Sequence, residues 1–550
     1  MMDTMDNVNN IPQDMFTLVQ ENEKISDVKL STKPVGYLKD AWNRFRKNRA
    51  SVVALVIILL IALFAIITPL CSKFEMSDAD GYYAKARPKL DSMSNTNSGF
   101  WDGTYTLDQP DNGLVYYWSI ALGALDKDGN GNVAWDDAAD YELNPVRKIL
   151  SESEQQIGSG RKTQHYQKLR IDSYYEVGFL YVEGITPEEY QNILDWQAQT
   201  GKQVLYPIID EWNTDAFDEF NRGTVIGANM WYAHDSRQNP LDENGRIMTL
   251  EQVKKNGLTP NYLKTRVVNE NGQDVVDENG EYVYEIAYYT KVGSSENYKV
   301  RVLYYNYYQY LNGHTPSHTF GADAQGYDII IRLAKGVGLS LILAVCVSII
   351  NLTVGAIYGA IEGYYGGAVD MVMERITDVL SGIPFIVLTS LFKLHFVDTG
   401  KTSAIGGLLF VFVLTGWIGT AYSVRMQFYR FKGQEYILAA RTLGAKDIRL
   451  MFRHILPNSL GTLITSSVLV IPGVIFSETS LAYLGIINFN GMDMTSLGTM
   501  LYNGQNAGID RFPHIIFFPA LIISLLMISF NLFGNGLRDA FNPSLRGSED

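Results

Sequence analysis

Cysteine is almost missing from this chain of 550 residues: it has only Cys71, just after a first apolar run, and Cys346, inside a second. A disulfide framework for the polar stretch between them is excluded. Pro69 and Leu70 stand before Cys71 where a lipid-acceptor cysteine needs small residues, so lipidation is not expected either. Histidine is scarce too, with seven in all, and His165, His234, His314 and His318 of the polar stretch form no His-Glu-x-x-His pair of the kind that holds catalytic zinc. A phosphate-cradling loop is also lacking. The nearest string is Thr399-Gly400-Lys401-Thr402, and His395 stands where the first glycine of that spacing belongs. Finally, at a net charge of −14 no basic face offers itself to a nucleic acid.

What is present is two different materials under one average. Residues 72–328 carry 39 Asp and Glu against 22 Lys and Arg, a net of −17, so the acidity of the whole chain belongs to this segment alone. The rest is dominated by long apolar runs. The first, 50–70, has no charge in 21 residues, enough to cross about 30 Å of hydrocarbon at about 1.5 Å per residue. Its length and the 49 residues before it favour an anchor over a cleaved signal peptide. Five more runs follow, near 337–361, 376–394, 404–424, 460–484 and 515–533; the third is interrupted by Asp378, Pro384 and Lys393. Six such runs predict six transmembrane helices.

Basic residues orient these spans. Lys39, Arg44, Arg46, Lys47 and Arg49 precede the first; Arg425, Arg430, Lys432, Arg441, Lys446, Arg449 and Arg453 lie between the fourth and fifth; Arg538 and Arg546 follow the last. With six crossings all three groups share one side, which the positive-inside rule makes the cytoplasm. Both termini are then cytoplasmic, and residues 72–328 lie outside the cell. The predicted architecture is an α-helical membrane protein of six spans, with an α+β extracellular domain inserted between the first and second. Its divisions are a cytoplasmic segment 1–49, a first span 50–70, an insertion 72–317, and a core 318–546 with a cytoplasmic loop 425–458.

That loop has the chemistry of an elbow. Residues from Glu435 onward are good helix formers, and Gly444 suits the left-handed residue that closes a helix. Asp447 is placed to cap a second short helix, and Pro457 to stop it before the next span. Two short helices at an angle are expected on the cytoplasmic face. Among the in-span polar residues, Glu374, Arg375 and Asp378 suit interfacial packing, and Glu478 is expected to face an interior.

Ala439-Ala440, Gly444 and Leu456-Pro457 resemble the EAA loop of binding-protein-dependent ABC importers. His318, Phe320, Gly321, Asp323, Gly326 and Asp328 resemble the segment entering the second span of the oligopeptide and dipeptide permeases. Gly363, Gly366 and Gly367, the stretch Glu478 to Gly485, and the tail from Gly534 through Pro543 resemble further stretches of the C-type permease of that group. The likeness covers about 37–70 and 318–546. It implies a C-type permease that forms a peptide pathway with a B-type permease, takes cargo from an extracytoplasmic peptide-binding protein, and is driven by two separate ABC ATPase subunits holding ATP and magnesium. Glu435, Leu438, Ala439, Ala440, Gly444, Ala445, Leu456 and Pro457 would form the coupling surface. Leu438 departs from the pattern, since the family often has a glutamate there. Transport itself would need no cofactor in this chain. Nickel or another small solute stays open as cargo, and so does a membrane-anchored receptor or adhesin whose acidic ectodomain is the working part.

The inserted segment lies outside that likeness. Helical signals occur at 187–199 and 250–256, and alternating Val and Tyr around Asp277-Glu278-Asn279-Gly280 read as a hairpin. Asp126, Asp128, Asn130, Asn132 and Asp137, with Gly131, match the spacing of a calcium loop, although Asp137 stands where a bidentate glutamate is usual. A structural calcium ion and a plain Asp/Asn/Gly-rich turn are the two readings. The tyrosine run from Tyr304 to Tyr310 is expected as half-buried strand or helix packing, with aromatic contacts for peptide or sugar as the other reading.

Overall fold

A peptide group surrounded by hydrocarbon has to bond within its own segment, and in the computed structural model the long apolar runs are helical. The structure describes residues 37–94, 96–110, 145–157, 160, 162–210, 225–230, 232–235, 239–256, 261–489 and 494–541. Helix α1 (Tyr37–Lys47) buries Ala41 and Phe45, and Phe45 meets Phe533 edge-on at 5.5 Å. The Asn48 side chain accepts from Ser51 N (3.3 Å) and so caps α2 (Arg49–Cys71). Helix α2 buries only Ser51, Ala54 and Ile61 and leaves most of its apolar surface uncovered, as a helix bathed in lipid does.

Between α2 and the next long helix the described residues build two larger antiparallel sheets and one two-stranded ladder. Strands β1 (Thr104–Pro110), β2 (Val146–Ile157) and β3 (Lys162–Asp172) form one, with β3 central. The other begins with β4 (Phe179–Ile185). Helix α3 (Pro187–Thr200) follows, capped by the Thr186 hydroxyl and closed by the left-handed Gly201, and then β5 (Leu205–Tyr206). Helix α4 (Leu250–Asn256) precedes a two-stranded ladder, β6 (Lys264–Arg266) with β7 (Tyr284–Ile286). Strands β8 (Tyr289–Lys291) and β9 (Tyr298–Leu303) complete the second sheet, with β4, β5 and β8 all pairing β9. The tyrosine run is helix α5 (Tyr304–Asn312), with Tyr307 and Tyr308 buried. The chain before and within the ladder carries a repeated turn the sequence reading missed. Asp242, Asn269 and Asp277 each begin the same turn, their carboxylate or amide oxygen accepting from the backbone two and four residues on. Gly245, Gly272 and Gly280 take the left-handed position in these turns.

The remaining helices are α6 (Ile329–Tyr365), α7 (Gly367–Ser381), α8 (Phe385–Val397), α9 (Ala404–Phe431), α10 (Glu435–Thr442), α11 (Asp447–Tyr483), α12 (Leu497–Ala507) and α13 (Pro513–Phe541). Among the described residues, α2 and four of these helices (α6, α9, α11 and α13) are long and apolar enough to cross a membrane, making five, or six if α7 and α8 are counted as one. The expected third span is not one helix: α7 and α8 bend by 71°. The break lies at Gly382-Ile383-Pro384, where the proline ring disfavours helical geometry at the residue before it. Pro457 does not stop a helix either. The chain runs from Asp447 through a π-helical turn, Leu450–Ile455, and on to Tyr483. A widened turn before the proline accommodates its ring and its missing N–H, so the rod continues. Helix α12 was not foreseen. Its polar Thr499 and Asn503 are buried against α11 and α13 and dilute its apolar signal.

The polar module and the helical core meet along the segment 318–328. Lys85 N donates to Asp323 O (2.8 Å), Ala322 N to Ala86 O (2.9 Å), Lys89 N to His318 O (2.8 Å) and Trp101 Nε1 to Thr319 O (2.6 Å). Phe320 stacks on Phe518 at 4.0 Å. Asp328 caps α6 by accepting from Ile331 N (3.0 Å) and also takes the Nδ1 of buried His318 (2.9 Å). Asp102 organises the loop beneath Trp101: it accepts from Gly99 N, Thr104 N and Thr104 Oγ1 at 2.7–3.0 Å. Burial alone would raise its pKa, but these hydrogen bonds outweigh burial and hold the carboxyl below its ordinary value. A carboxyl depressed in the folded state stabilises above its unfolded pKa of about 3.9 and loses that contribution as pH falls through the folded value. Asp102→Asn is therefore expected to cost about 1–3 kcal/mol at pH 7. The gap in melting temperature between wild type and variant should narrow between pH 5 and pH 3; a gap independent of pH would show that the charge is not what matters.

Candidate coupling site

Helix α10 and the start of α11 stand against the C-terminal end of α6 as the two limbs of an elbow. Ile437 of α10 is wholly buried in a cluster with Tyr364, Phe428, Leu450, Met451 and Ile455, so the limbs share a core with α6 and α9. The corner is Leu443-Gly444. Gly444 has φ +83°, its N–H bonds to Arg441 O (3.0 Å), and Ala445 N bonds back to Ala440 O (3.1 Å). This is the left-handed closure that the glycine led one to expect.

Asp447 does not cap the second limb. Lys446 occupies the cap position without a side-chain bond, and the Asp447 carboxylate accepts from the Tyr364 hydroxyl (2.5 Å). The same hydroxyl accepts from Arg441 Nη2 (3.0 Å). One oxygen at the end of α6 thus pins both limbs, with Arg441 on the first and Asp447 on the second. Lys432 Nζ adds a bond to Gly363 O (3.0 Å).

On the outer face of the elbow the apolar side chains are largely uncovered, and the Tyr436 hydroxyl accepts from Asn458 Nδ2 (3.1 Å). Leu443 is 88% exposed and Ile448 70%, with Tyr436 and Leu438 beside them. Of the residues singled out in the sequence, Glu435, Leu438, Ala439, Gly444 and Pro457 are exposed, while Ala440, Ala445 and Leu456 are half-buried against the cluster around Ile437. The eight therefore divide into an outward set and a set that holds the limbs together.

Behind the elbow a single cation ties the bent α7 to the rods. Arg425 of α9 lies 3.0 Å from Glu374, 2.7 Å from Asp370 and 3.5 Å from Glu362, and the Tyr429 hydroxyl donates to Asp370 (2.6 Å). Arg375 pairs with Asp378 at 2.8 Å on the exposed side. Glu478 is buried and accepts from Ser340 Oγ (3.0 Å), joining α11 to α6. Sequence reasoning did not single out Arg425 in this role, because its three carboxylates come from α6 and α7. Asp126, Asp128, Asn130, Asn132 and Asp137, the calcium-loop residues, lie outside the described residues.

Residues 352–547 match the family described as "Binding-protein-dependent transport system inner membrane component", and residues 36–88 match "N-terminal TM domain of oligopeptide transport permease C". The oligopeptide transport system permease protein OppC of Bacillus subtilis is 38% identical over 241 residues, which cover 43% of this chain and 76% of that protein. The chain belongs to this permease family. The dipeptide permease DppC of Bacillus subtilis is 37% identical over 231 residues (42% of this chain, 69% of DppC), and OppC of Haemophilus influenzae 35% over 232 (42% and 71%). A solved MetNI methionine ABC transporter chain, 16% identical, aligns over 38% of this chain and 96% of its own at a TM-score of 0.30, too low to add to the fold. The permease is thus a membrane subunit of an ABC importer, and not itself an enzyme; ATP hydrolysis sits on a separate subunit. The reading as a membrane-anchored receptor or adhesin gives way to this one. Residues 89–351, between the two matched segments, hold both sheets.

Proposed function

We propose that this permease is the C-type half of a peptide importer, working with a B-type permease, two ABC ATPase subunits and an extracytoplasmic peptide-binding protein. The observation that carries the reading is the elbow: an apolar outward face on Leu443 and Ile448, held rigidly to α6 by Tyr364 and the cluster around Ile437. A face of that kind suits a groove on an ATPase, and a rigid attachment passes the ATPase's closure to the spans. Two packings of the helices then differ in population according to the partner's nucleotide state. Glu435, Leu438, Ala439, Gly444 and Pro457 meet the partner, and Ala440, Ala445 and Leu456 keep the limbs together. Peptide is the cargo, as the names of the relatives say of those proteins.

In the same proposal α7 and α8 together make a sixth crossing, both termini are cytoplasmic, and the two-sheet module stands outside the cell. Two measurements test the whole. In a Cys346→Ser background, a membrane-impermeant maleimide applied to intact cells should label Cys71, at the outer end of α2, and should label a Leu443→Cys variant lacking Cys71 only after lysis. Cells deprived of this chain should lose uptake of labelled tri-alanine and regain it on complementation. Labelling of Leu443→Cys from outside would reverse the topology, and uptake of nickel in place of tri-alanine would change the cargo.

A further inference from the structure

The outer module of an acidic importer subunit would be expected to repel carboxylates, yet its seam with the helical core is cationic. Arg87 crosses that seam. Its Nη2 donates to Arg511 O in the loop between α12 and α13, and its Nη1 lies 3.5 Å from His514 Nδ1. The Tyr105 and Phe512 rings flank the guanidinium at 5.3 Å and 5.1 Å, and Lys85 Nζ sits 5.0 Å from the Phe512 ring. A cavity of about 580 Å³ and a second of about 510 Å³ adjoin this strut, both lined by Arg87, Tyr105 and Arg511.

The charges lining the two chambers are uneven. Lys85, Arg87 and Arg511 line the first and Arg170 joins in the second, while the acids are Asp510 and Glu176. Glu176 is already engaged, since both of its oxygens accept from the Tyr105 hydroxyl at 2.8 and 2.9 Å. Arg87 Nε and Arg170 Nε are buried with no hydrogen-bond acceptor among the described residues. These two nitrogens are too buried to meet a ligand themselves, but their guanidinium charge adds to the positive field of the chambers. The walls add Tyr105, Phe512 and, in the second chamber, Phe100 and Phe517, which offer apolar surface to a side chain. Each chamber by itself falls in the range of small-molecule sites. Exposed Asp510, set among these cations, favours a zwitterion over a bare phosphate.

We infer that the seam is an outer binding site for a short peptide, which it holds by its C-terminal carboxylate between Lys85 and Arg511, with the side chains against Tyr105 and Phe512. The inference rests on the peptide reading and the outward orientation proposed above, and adds to them a named site that includes residues of the module between the two family segments. Its position at the mouth of α12 and α13 would make it a staging place for cargo.

The test uses the full chain in lipid nanodiscs and calorimetric titration with tri-alanine, tri-alanine amide and succinate. Tri-alanine should bind at least ten-fold more tightly than its amide. Lys85→Gln and Arg511→Gln should each erase that preference; Arg87 is left in place because it is a structural strut. Equal affinity for acid and amide overturns the site, and this comparison needs only the wild-type chain. A preference untouched by both variants overturns it too, as does binding of succinate without tri-alanine. In the assembled importer, Arg511→Gln should raise the KM for tri-alanine uptake at unchanged maximal rate. Absence of wild-type peptide uptake alongside a persistent acid preference would sink the cargo reading and leave the site standing. Normal uptake without the preference would sink the site alone.

Discussion

Gly444→Val is expected to cut peptide uptake about ten-fold or more in reconstituted importer, while leaving the subunit in the membrane and the ATPase active. The reason is backbone geometry alone. Gly444 has φ +83°, and a Cβ built on it would meet nothing within 4 Å, so no neighbour objects to a side chain. A β-branched residue is nevertheless a poor occupant of the left-handed region; held there it costs on the order of 1–3 kcal/mol. The turn would relax towards negative φ and swing the limb carrying Leu443 away from the limb carrying Ile448. A shift of about 1.4 kcal/mol against the docked geometry is already a factor of ten. Size and conformation separate cleanly in a series. Gly444→Asn, which tolerates this region, should retain most uptake, Gly444→Ala less, and Gly444→Val least. Uptake and nucleotide hydrolysis measured together in proteoliposomes check the order. Full uptake by the valine variant would refute the coupling elbow, and equal damage from Asn and Val would refute the conformational cause.

Gly359→Leu should be more destructive still, and in a different way: the subunit should fail to accumulate in the membrane in folded form. Gly355, Gly359 and Gly363 recur every four residues on the face of α6 that meets α9. A Cβ at Gly359 would collide with the carbonyl of Ala421 and come within 2.9 Å of the Val424 side chain; at Gly363 it would lie 2.8 Å from the Arg425 carbonyl. Backbone atoms cannot swing aside, so the helices must part. Small residues let helices in lipid approach closely, and that close packing is what holds such pairs together. Overpacking a well-fitted contact costs about 1–3 kcal/mol in ordinary cores, and a clash with main chain belongs at the upper end or beyond. Separation would also withdraw Arg425 from Glu362 across the same interface. Gly473→Ala is the control, since a Cβ there meets nothing within 4 Å. Thermal aggregation of the detergent-extracted chain should begin well below the wild-type temperature for Gly359→Leu and at or above it for Gly473→Ala. Indistinguishable variants would show that α6 and α9 do not depend on the contact.

Much of this was open to sequence reading because it rests on local chemistry. A run of 21 uncharged residues can be little else than a helix in lipid, and α2 follows it closely. Gly444 closes a helix because its neighbours are helix formers and it is the residue that enters the left-handed region freely. The misreadings have local causes too. Pro457 looked like a stop, and a π turn just before it absorbed the ring. Asp447 looked like a cap, and Tyr364, 83 residues away in the chain, took its carboxylate instead. The third span read as one apolar run, while Gly382 and Pro384 turned it by 71°. The spacing of Gly355, Gly359 and Gly363 was visible all along, but nothing in a linear string says which helix will press against it.

From its residues alone the chain determined that it lives in a membrane, that its charge is segregated, and that a glycine elbow precedes a long apolar run, since length, charge and backbone freedom belong to short stretches of sequence. Only the tertiary structure decided that Tyr364 would pin both limbs, that Arg425 would gather carboxylates from two helices, and that Lys85, Arg87, Arg170 and Arg511 would meet at one seam. Those are encounters between residues up to hundreds of positions apart. Their energies depend on distance and burial, which exist only once the chain has folded.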